Sequence, residues 1–264
     1  MRFLLLGDIV GKPGRRILAD KLKKFRQKAN IDFVIANAEN SAGGSGVTEN
    51  IARKLHKYGI DVLTHGDHAN KKDHNKLPLE KYDWVIRPAN FEDRLPGHGY
   101  VIVEHENVRI AVINLIGNIY LSGTMPTPFE MADKIINGIA KETDIIIVDI
   151  HAEVTSEKIA LGWHLDGRVA AVVGTHTHIQ TADERILPNG TAYITDLGMV
   201  GPYQSVIGRE TDKVLSWFVK KVPAPFNIAK GDVQIRGAII DVDPSSGKAV
   251  HIERVSLRED EIIE

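Results

Sequence analysis

Cysteine is absent from the 264-residue sequence, and with it go disulfide staples, thiolate nucleophiles and thiolate metal ligands. Any metal would have to be held by oxygen and imidazole. No stretch reaches the roughly 18 consecutive apolar residues that a membrane-spanning helix needs. The opening Met1-Arg2-Phe3-Leu4-Leu5-Leu6-Gly7-Asp8 has an apolar run too short for a signal-peptide core and meets an acid at once. A basic excess is missing too: 33 Lys and Arg stand against 35 Asp and Glu, for a formal net charge of −2. That balance disfavours a strong grip on the phosphate backbone of a nucleic acid. The expected setting is the cytoplasm, with a small-molecule partner and neither membrane nor strong nucleic-acid binding.

What is present is ordinary globular composition, 43% hydrophobic and 26% charged, in an alternation of strand and helix signals. Apolar runs at 2–7, 33–36, 62–63, 84–86, 145–150, 170–174 and 191–195 predict strands. Helices are predicted from Pro13 to about Ala29, from a Thr48 N-cap to Gly59, from Phe129 to Lys141, and from Thr155 onward. Two antiparallel hairpins interrupt this rhythm: Tyr100–Val103 with Val108–Leu115, and Val233–Val242 with Val250–Val255. Residues 117–128 predict a loop, whose apolar Ile119-Tyr120-Leu121 would serve as a lid or as an interface. No repeat or linker divides the chain, so one domain over 1–264 is expected. The interleaved hairpins favour an α/β fold of two packed mixed sheets with helices outside, rather than one all-parallel sheet.

The polar residues with chemical potential share one placement: each follows a predicted strand. Asp8 follows 4–7, Glu39-Asn40 follow 33–38, Asp67-His68 follow 62–66, His151 follows 145–150, and His176 and His178 follow 170–174. The crevice beyond the carboxyl ends of strands is where α/β proteins build sites. Each residue alone has an ordinary explanation. Asp8 suits a helix cap or turn, Asn40 is a common turn former, and Asp149, one residue before a strand end, reads as structural. Together they supply three carboxylates, an amide oxygen and three imidazoles, more than a single tetrahedral zinc requires. Seven such donors suit two metal ions with one carboxylate shared. Iron, manganese and zinc all fit donors of this kind. Paired metals of this sort serve phosphoester hydrolysis.

The series Gly7-Asp8, Asn37-Ala38-Glu39-Asn40, Gly66-Asp67-His68, His151-Ala152-Glu153 and Gly174-Thr175-His176-Thr177-His178 resembles the calcineurin-like metallophosphoesterases. The resemblance is closer to their bacterial YmdB-like branch, through Gly7-Asp8-Ile9-Val10-Gly11, Arg87-Pro88-Ala89-Asn90-Phe91, Thr155-Ser156-Glu157-Lys158, Gln180-Thr181-Ala182-Asp183 and Ala192-Tyr193-Ile194-Thr195-Asp196. Val10 in place of the superfamily's usual histidine, and Glu39 in place of its bridging Asp, are features of that branch. The resemblance implies a four-layer α-β-β-α sandwich and a di-iron phosphodiesterase acting on 2′,3′-cyclic nucleotides such as 2′,3′-cAMP, with a regulatory role in bacterial gene expression.

By the same resemblance, Asp8, Asn40 and His178 would bind one metal, and Asp67, His151 and His176 the other. Glu39 would bridge them, and His68 would protonate the leaving oxygen. Gly66-Asp67-His68 departs from the branch, where Gly-Asn-His is usual. The added negative charge implies tighter cation binding and some repulsion of an anionic diester. Arg15 and Asn90 are weaker candidates for the site. The other readings are a metal-dependent phosphomonoesterase and a regulatory binding protein whose catalysis Asp67 has weakened.

Overall fold

The computed structural model of the chain describes residues 1–70, 76–91, 95–121 and 126–261. In chain order the first half contains β1 (Arg2–Leu6), β2 (Asp8–Ile9), α1 (Gly11–Lys28), β3 (Phe33–Asn37), α2 (Glu49–Lys57), β4 (Val62–Thr64), α3 (Lys76–Lys81), β5 (Tyr100–His105) and β6 (Val108–Ile116). The second half contains α4 (Pro128–Ile139), β7 (Ile145–His151), α5 (Thr155–His164), β8 (Ala171–Thr175), β9 (Arg185–Ile186), β10 (Ala192–Ile194), β11 (Met199–Pro202), α6 (Thr211–Lys220), β12 (Val233–Asp243) and β13 (Lys248–Arg258).

The strands form two mixed sheets. The seven-stranded sheet runs β2-β11-β12-β1-β3-β4, with β13 on the other edge of β12. The six-stranded sheet runs β5-β6-β7-β8-β10-β9. Within them, β1-β3-β4 and β6-β7-β8-β10 are parallel, so each sheet has a block of carboxyl ends pointing one way.

The alternation of side chains along each strand explains the layering. Phe3, Leu5, Phe33 and Ile35 on one face of the larger sheet meet Val112, Ile147, Val173 and Ile194 of the smaller one. The alternate residues Leu4, Leu6, Val34 and Ala36 face Ile17, Leu18 and Leu22 of α1 and Leu55 of α2. On the outer face of the smaller sheet, Ile113, Val148, Ile150 and Val172 face Ile135 and Ile136 of α4 and Leu161 of α5. Three apolar layers between four structural layers make the expected α-β-β-α sandwich. Each fully buried Leu, Ile or Phe contributes about 1.5–3 kcal/mol, so this core can hold acids together at a site that repels them.

Most local signals act where the sequence puts them. Thr48 caps α2 by accepting from the Ile51 N–H at 3.3 Å. A capping box between Thr127 and Glu130, with Pro128 in the first turn, starts α4. Helix α1 starts at Gly11 rather than Pro13. The strand expected at 84–86 is a single bridge between Val85 and Leu63, because the Arg87 N–H turns away to the His98 carbonyl. Of the apolar loop, Tyr120 is 85% exposed while Leu121 packs against Ala69, Phe91, Leu95 and Ile116. The remainder of that predicted loop, 122–125, lies outside the described residues. No helix among the described residues is long and apolar enough to cross a membrane.

Candidate metal centre

The carboxyl ends of the two parallel blocks meet, and all seven predicted donors gather there. Asp8 reaches this point because the chain bends out of β1 at Gly7 and pairs as β2 with β11. A Cβ on Gly7 would lie 2.0 Å from the Gly198 carbonyl oxygen, so only glycine allows the bend. Glu39 and Asn40 follow β3, and Asp67 opens a single 3₁₀ turn, Asp67–Asn70, after β4. His151 is the last residue of β7 rather than the one after it, and His176 and His178 follow β8. Gly66 makes the junction possible: a Cβ there would sit 2.1 Å from the His151 ring and 2.4 Å from Glu39 Oε2. The larger sheet therefore supplies the oxygen donors, and the smaller sheet the three imidazoles.

Glu39, Asp67, His151 and His176 place ligand atoms within 4.8 Å of one another. His151 Nε2 lies 3.3 Å from Glu39 Oε1, 3.5 Å from Asp67 Oδ1 and 3.0 Å from His176 Nδ1. A second group adjoins the first. Asn40 Nδ2 lies 3.0 Å from Glu39 Oε1 and 3.3 Å from His178 Nε2, and His178 Nε2 lies 3.8 Å from Asp8 Oδ1. Glu39 touches both groups through the same oxygen.

Each imidazole is tethered by one nitrogen and turns the other inward. His151 Nδ1 is 3.0 Å from Thr175 Oγ1, whose hydroxyl donates to Asp149 at 2.8 Å. His176 Nε2 is 3.0 Å from Glu153, and His178 Nδ1 donates to the Ile207 carbonyl at 3.0 Å. Outer partners of this kind fix which nitrogen is left free for a cation. Asp149 is thus structural, as predicted, but it also orients His151. Burial pushes its carboxyl up to about 6 against the pull of Thr64 and His151.

The charges show what the cluster wants. Burial alone would raise the Glu39 carboxyl, yet the charge and hydrogen bond of His151, helped by His68, bring it down to about 2. Burial lowers His151, and Glu39, Asp67 and Asp8 overcome it to raise that imidazole well above its ordinary value. Burial raises Asp8, opposed by His178 and His151. A proton on His151 thus compensates the acids in place of a cation. Asp8 Oδ1 is buried with no hydrogen-bond partner among the described residues. Buried carboxylates facing imidazole nitrogens, with a carboxylate oxygen left over, fit a metal centre.

The loop carrying His176 and His178 is held in an uncommon backbone. Both residues have positive φ, 103° and 65°, a conformation that costs on the order of 1–3 kcal/mol each and needs support. The support is an ion pair sealed behind the loop, Lys158 Nζ to Asp196 Oδ2 at 2.8 Å, with 0% and 1% side-chain exposure. Lys158 also donates to the Thr175 carbonyl at 2.7 Å, and Asp196 accepts from the Thr177 N–H at 3.1 Å. The His176 N–H is fixed from the other side by Asp8 Oδ2 at 3.0 Å. Spacing in the sequence does not reveal this pair; the only hint is a lysine in a helix and an acid after a strand, in two of the quoted motifs.

His68 lies beside the cluster, its backbone N–H donating to Glu39 Oε2 at 3.1 Å and its Nδ1 3.5 Å from Glu39 Oε1. Arg15 donates to the Ser41 carbonyl, so it steadies the loop after Asn40. Asn90 is buried and pairs in both directions with the backbone of Ile116, which makes it a structural bridge. His65 is buried too, donates to the Ile86 carbonyl, and is pushed by burial down to about 4, so it stays neutral.

Similarity to known proteins runs the length of the chain. The sequence is 44% identical over 260 residues to a 2′,3′-cyclic-nucleotide 2′-phosphodiesterase of Bacillus subtilis, covering 98% of each chain. Its fold matches a protein of Thermus thermophilus with a TM-score of 0.91 at 35% identity, covering 98% of this chain and 100% of that one. It matches a Mycoplasma pneumoniae protein described as a novel phosphatase with a TM-score of 0.90 at 34% identity, covering 99% and 94%. The model of the YmdB-like protein family matches residues 4–255, which span all seven donors and the buried pair behind them. The chain belongs to the YmdB-like family.

Proposed function

We propose that this chain is a metal-dependent phosphoric diester hydrolase that opens 2′,3′-cyclic nucleotides such as 2′,3′-cAMP, working as one domain over residues 1–264. Asp8, Asn40 and His178 would hold one metal ion, Asp67, His151 and His176 would hold a second, and Glu39 would be shared. The observation that carries this is Glu39 Oε1, which stands 3.3 Å from His151 Nε2 in one group and 3.0 Å from Asn40 Nδ2 in the other. Iron is the first choice of metal, with manganese or zinc compatible with the same oxygen and nitrogen donors. Such a pair would activate water and neutralise phosphoryl charge.

The protein's own groups do the rest. His68, beside Glu39 and Asp67, gives its proton to the leaving alkoxide. If the 2′ bond named for the Bacillus subtilis relative is also the one cut here, the products are a free 2′-hydroxyl and a 3′-phosphomonoester. Thr175 and Asp149 keep the Nε2 of His151 turned inward, and Lys158 with Asp196 keeps the His-Thr-His loop in place. The acids around the site disfavour polyanions, in line with a small substrate, and a regulatory role in bacterial gene expression from the cytoplasm follows the family resemblance.

The phosphatase description of the Mycoplasma pneumoniae structure favours one second reading, a phosphomonoesterase built on the same donors. Side-by-side turnover of 2′,3′-cAMP, 3′,5′-cAMP and 5′-AMP separates them. Preference for the 2′,3′-cyclic ester is expected; preference for 5′-AMP would replace the first reading with the second.

A further inference from the structure

A cavity of about 560 Å³ opens between the first turns of α1 and the segment that follows α6, and none of the seven metal donors lines it. Four cationic side chains converge on it: Lys12 and Arg16 from α1, and Arg209 and Lys230 from the far wall. The only carboxylate among the lining residues is Glu259. In a chain whose net charge is −2, that is a local reversal of sign. The cations are not used up by the fold. Lys12 and Lys230 have no ion-pair or hydrogen-bond partner among the described residues, and Arg16 meets Asp20 at 3.7 Å with both side chains largely in solvent, a pair of little strength. Arg209 is only part-exposed and spends its two terminal nitrogens on the carbonyls of Phe226 and Gly44, each at 3.0 Å, with no carboxylate among its partners.

Much of the rest of the wall is apolar. Pro13, Ile228 and Phe226 line it, and Phe226 is 43% exposed, a large aromatic residue left partly in solvent. The volume falls within the range of small-molecule sites, where an apolar wall takes a flat group and a few charges fix its orientation. A simple inorganic anion would leave the apolar wall unused, and an uncharged aromatic would leave the cations unused. A phosphate joined to a flat ring uses both.

We propose that this cavity is a second ligand site that takes an organic phosphate with a flat ring, such as a nucleotide. Its phosphates lie against Lys12, Arg16 and Lys230, and its ring lies on Phe226 and Pro13. The site stands apart from the metal centre: what they share are two loops, since Gly43 lines the cavity and Asn40 belongs to the same turn, while the Ile207 carbonyl that holds His178 lies two residues before Arg209. The proposal holds whichever ester the metal centre cleaves.

Fluorescence titration of the metal-loaded protein with N-methylanthraniloyl-ADP tests it. Saturable binding is expected, with a dissociation constant raised about tenfold or more, that is about 1.4 kcal/mol or more, in a Lys12→Glu, Lys230→Glu double variant. That variant keeps the hydrolysis rate of the unliganded protein, since neither lysine is a metal donor or makes a hydrogen bond or ion pair with one among the described residues. A Phe226→Ser variant weakens binding without touching the charges, and a His176→Ala variant still binds the probe. Equal binding by the charge-reversed variant, or loss of binding in His176→Ala alone, would place the nucleotide in the metal centre and overturn the proposal. So would the absence of saturable binding to the unaltered protein.

Discussion

The two sheets contribute to the centre in different chemical kinds. The larger one brings oxygen donors: Asp8 at the start of β2, Glu39 and Asn40 after β3, and Asp67 after β4. The smaller one brings His151, His176 and His178, and backs each imidazole with a partner of its own: Thr175, Glu153 and the Ile207 carbonyl. Isolated, the oxygen half would be a set of buried acids with nothing to neutralise them, which is costly. The nitrogen half is tightly guyed. What joins them is the apolar layer between the sheets, so the sandwich itself brings acids and imidazoles together. The difference also assigns the work: the oxygen half sets the charge of the site, and the nitrogen half sets its geometry.

Three substitutions strain that division, in decreasing order of effect. Lys158→Met attacks the nitrogen half from behind, leaving Asp196 buried without its cation. A loss of about 3–5 kcal/mol of folding stability is expected, read by denaturant unfolding, together with loss of bound metal as the positive-φ loop relaxes. Stability within about 1 kcal/mol of the parent would show that the pair does not hold the loop. His68→Ala lies at the junction of the two halves. It should leave metal content unchanged and lower kcat by about 10²–10⁴-fold; a variant with full metal and full rate has no use for His68 as proton donor. Asp67→Asn alters only the charge of the oxygen half and keeps an oxygen donor. Metal affinity should fall, and turnover of the anionic diester should rise, each by less than about tenfold. Indistinguishable values in metal titration and steady-state assays would mean that this charge does not reach the substrate.

The strands buried on both faces, such as β7 with its apolar run Ile145–Val148, are legible because little in them competes with the strand signal. So was the placement of the donors, since a polar residue that follows such a run has one place to go. The two-residue β2 and four-residue β11 were not legible: their pairing depends on Gly7 and Gly198 bringing distant backbones together. Helix α6 was missed for another reason. Val214, Leu215, Trp217, Phe218 and Val219 form a nearly continuous apolar run, which periodicity alone does not assign to helix or strand. In the site, Asp8 follows its strand as expected but also opens β2, and His151 is the last residue of β7 rather than the one after it. The supporting groups Thr175, Lys158 and Asp196 carry no periodicity at all. They act through single contacts made across the fold, which spacing along a chain does not encode.

The central claim is that oxygen and nitrogen halves meet around two cations that share Glu39. Elemental analysis of protein purified without chelator, alongside a Glu39→Gln variant, tests it most directly. The account predicts about two metal ions per chain in the parent and a fall to one or none in the variant. A parent that holds a single ion, or none, would contradict it.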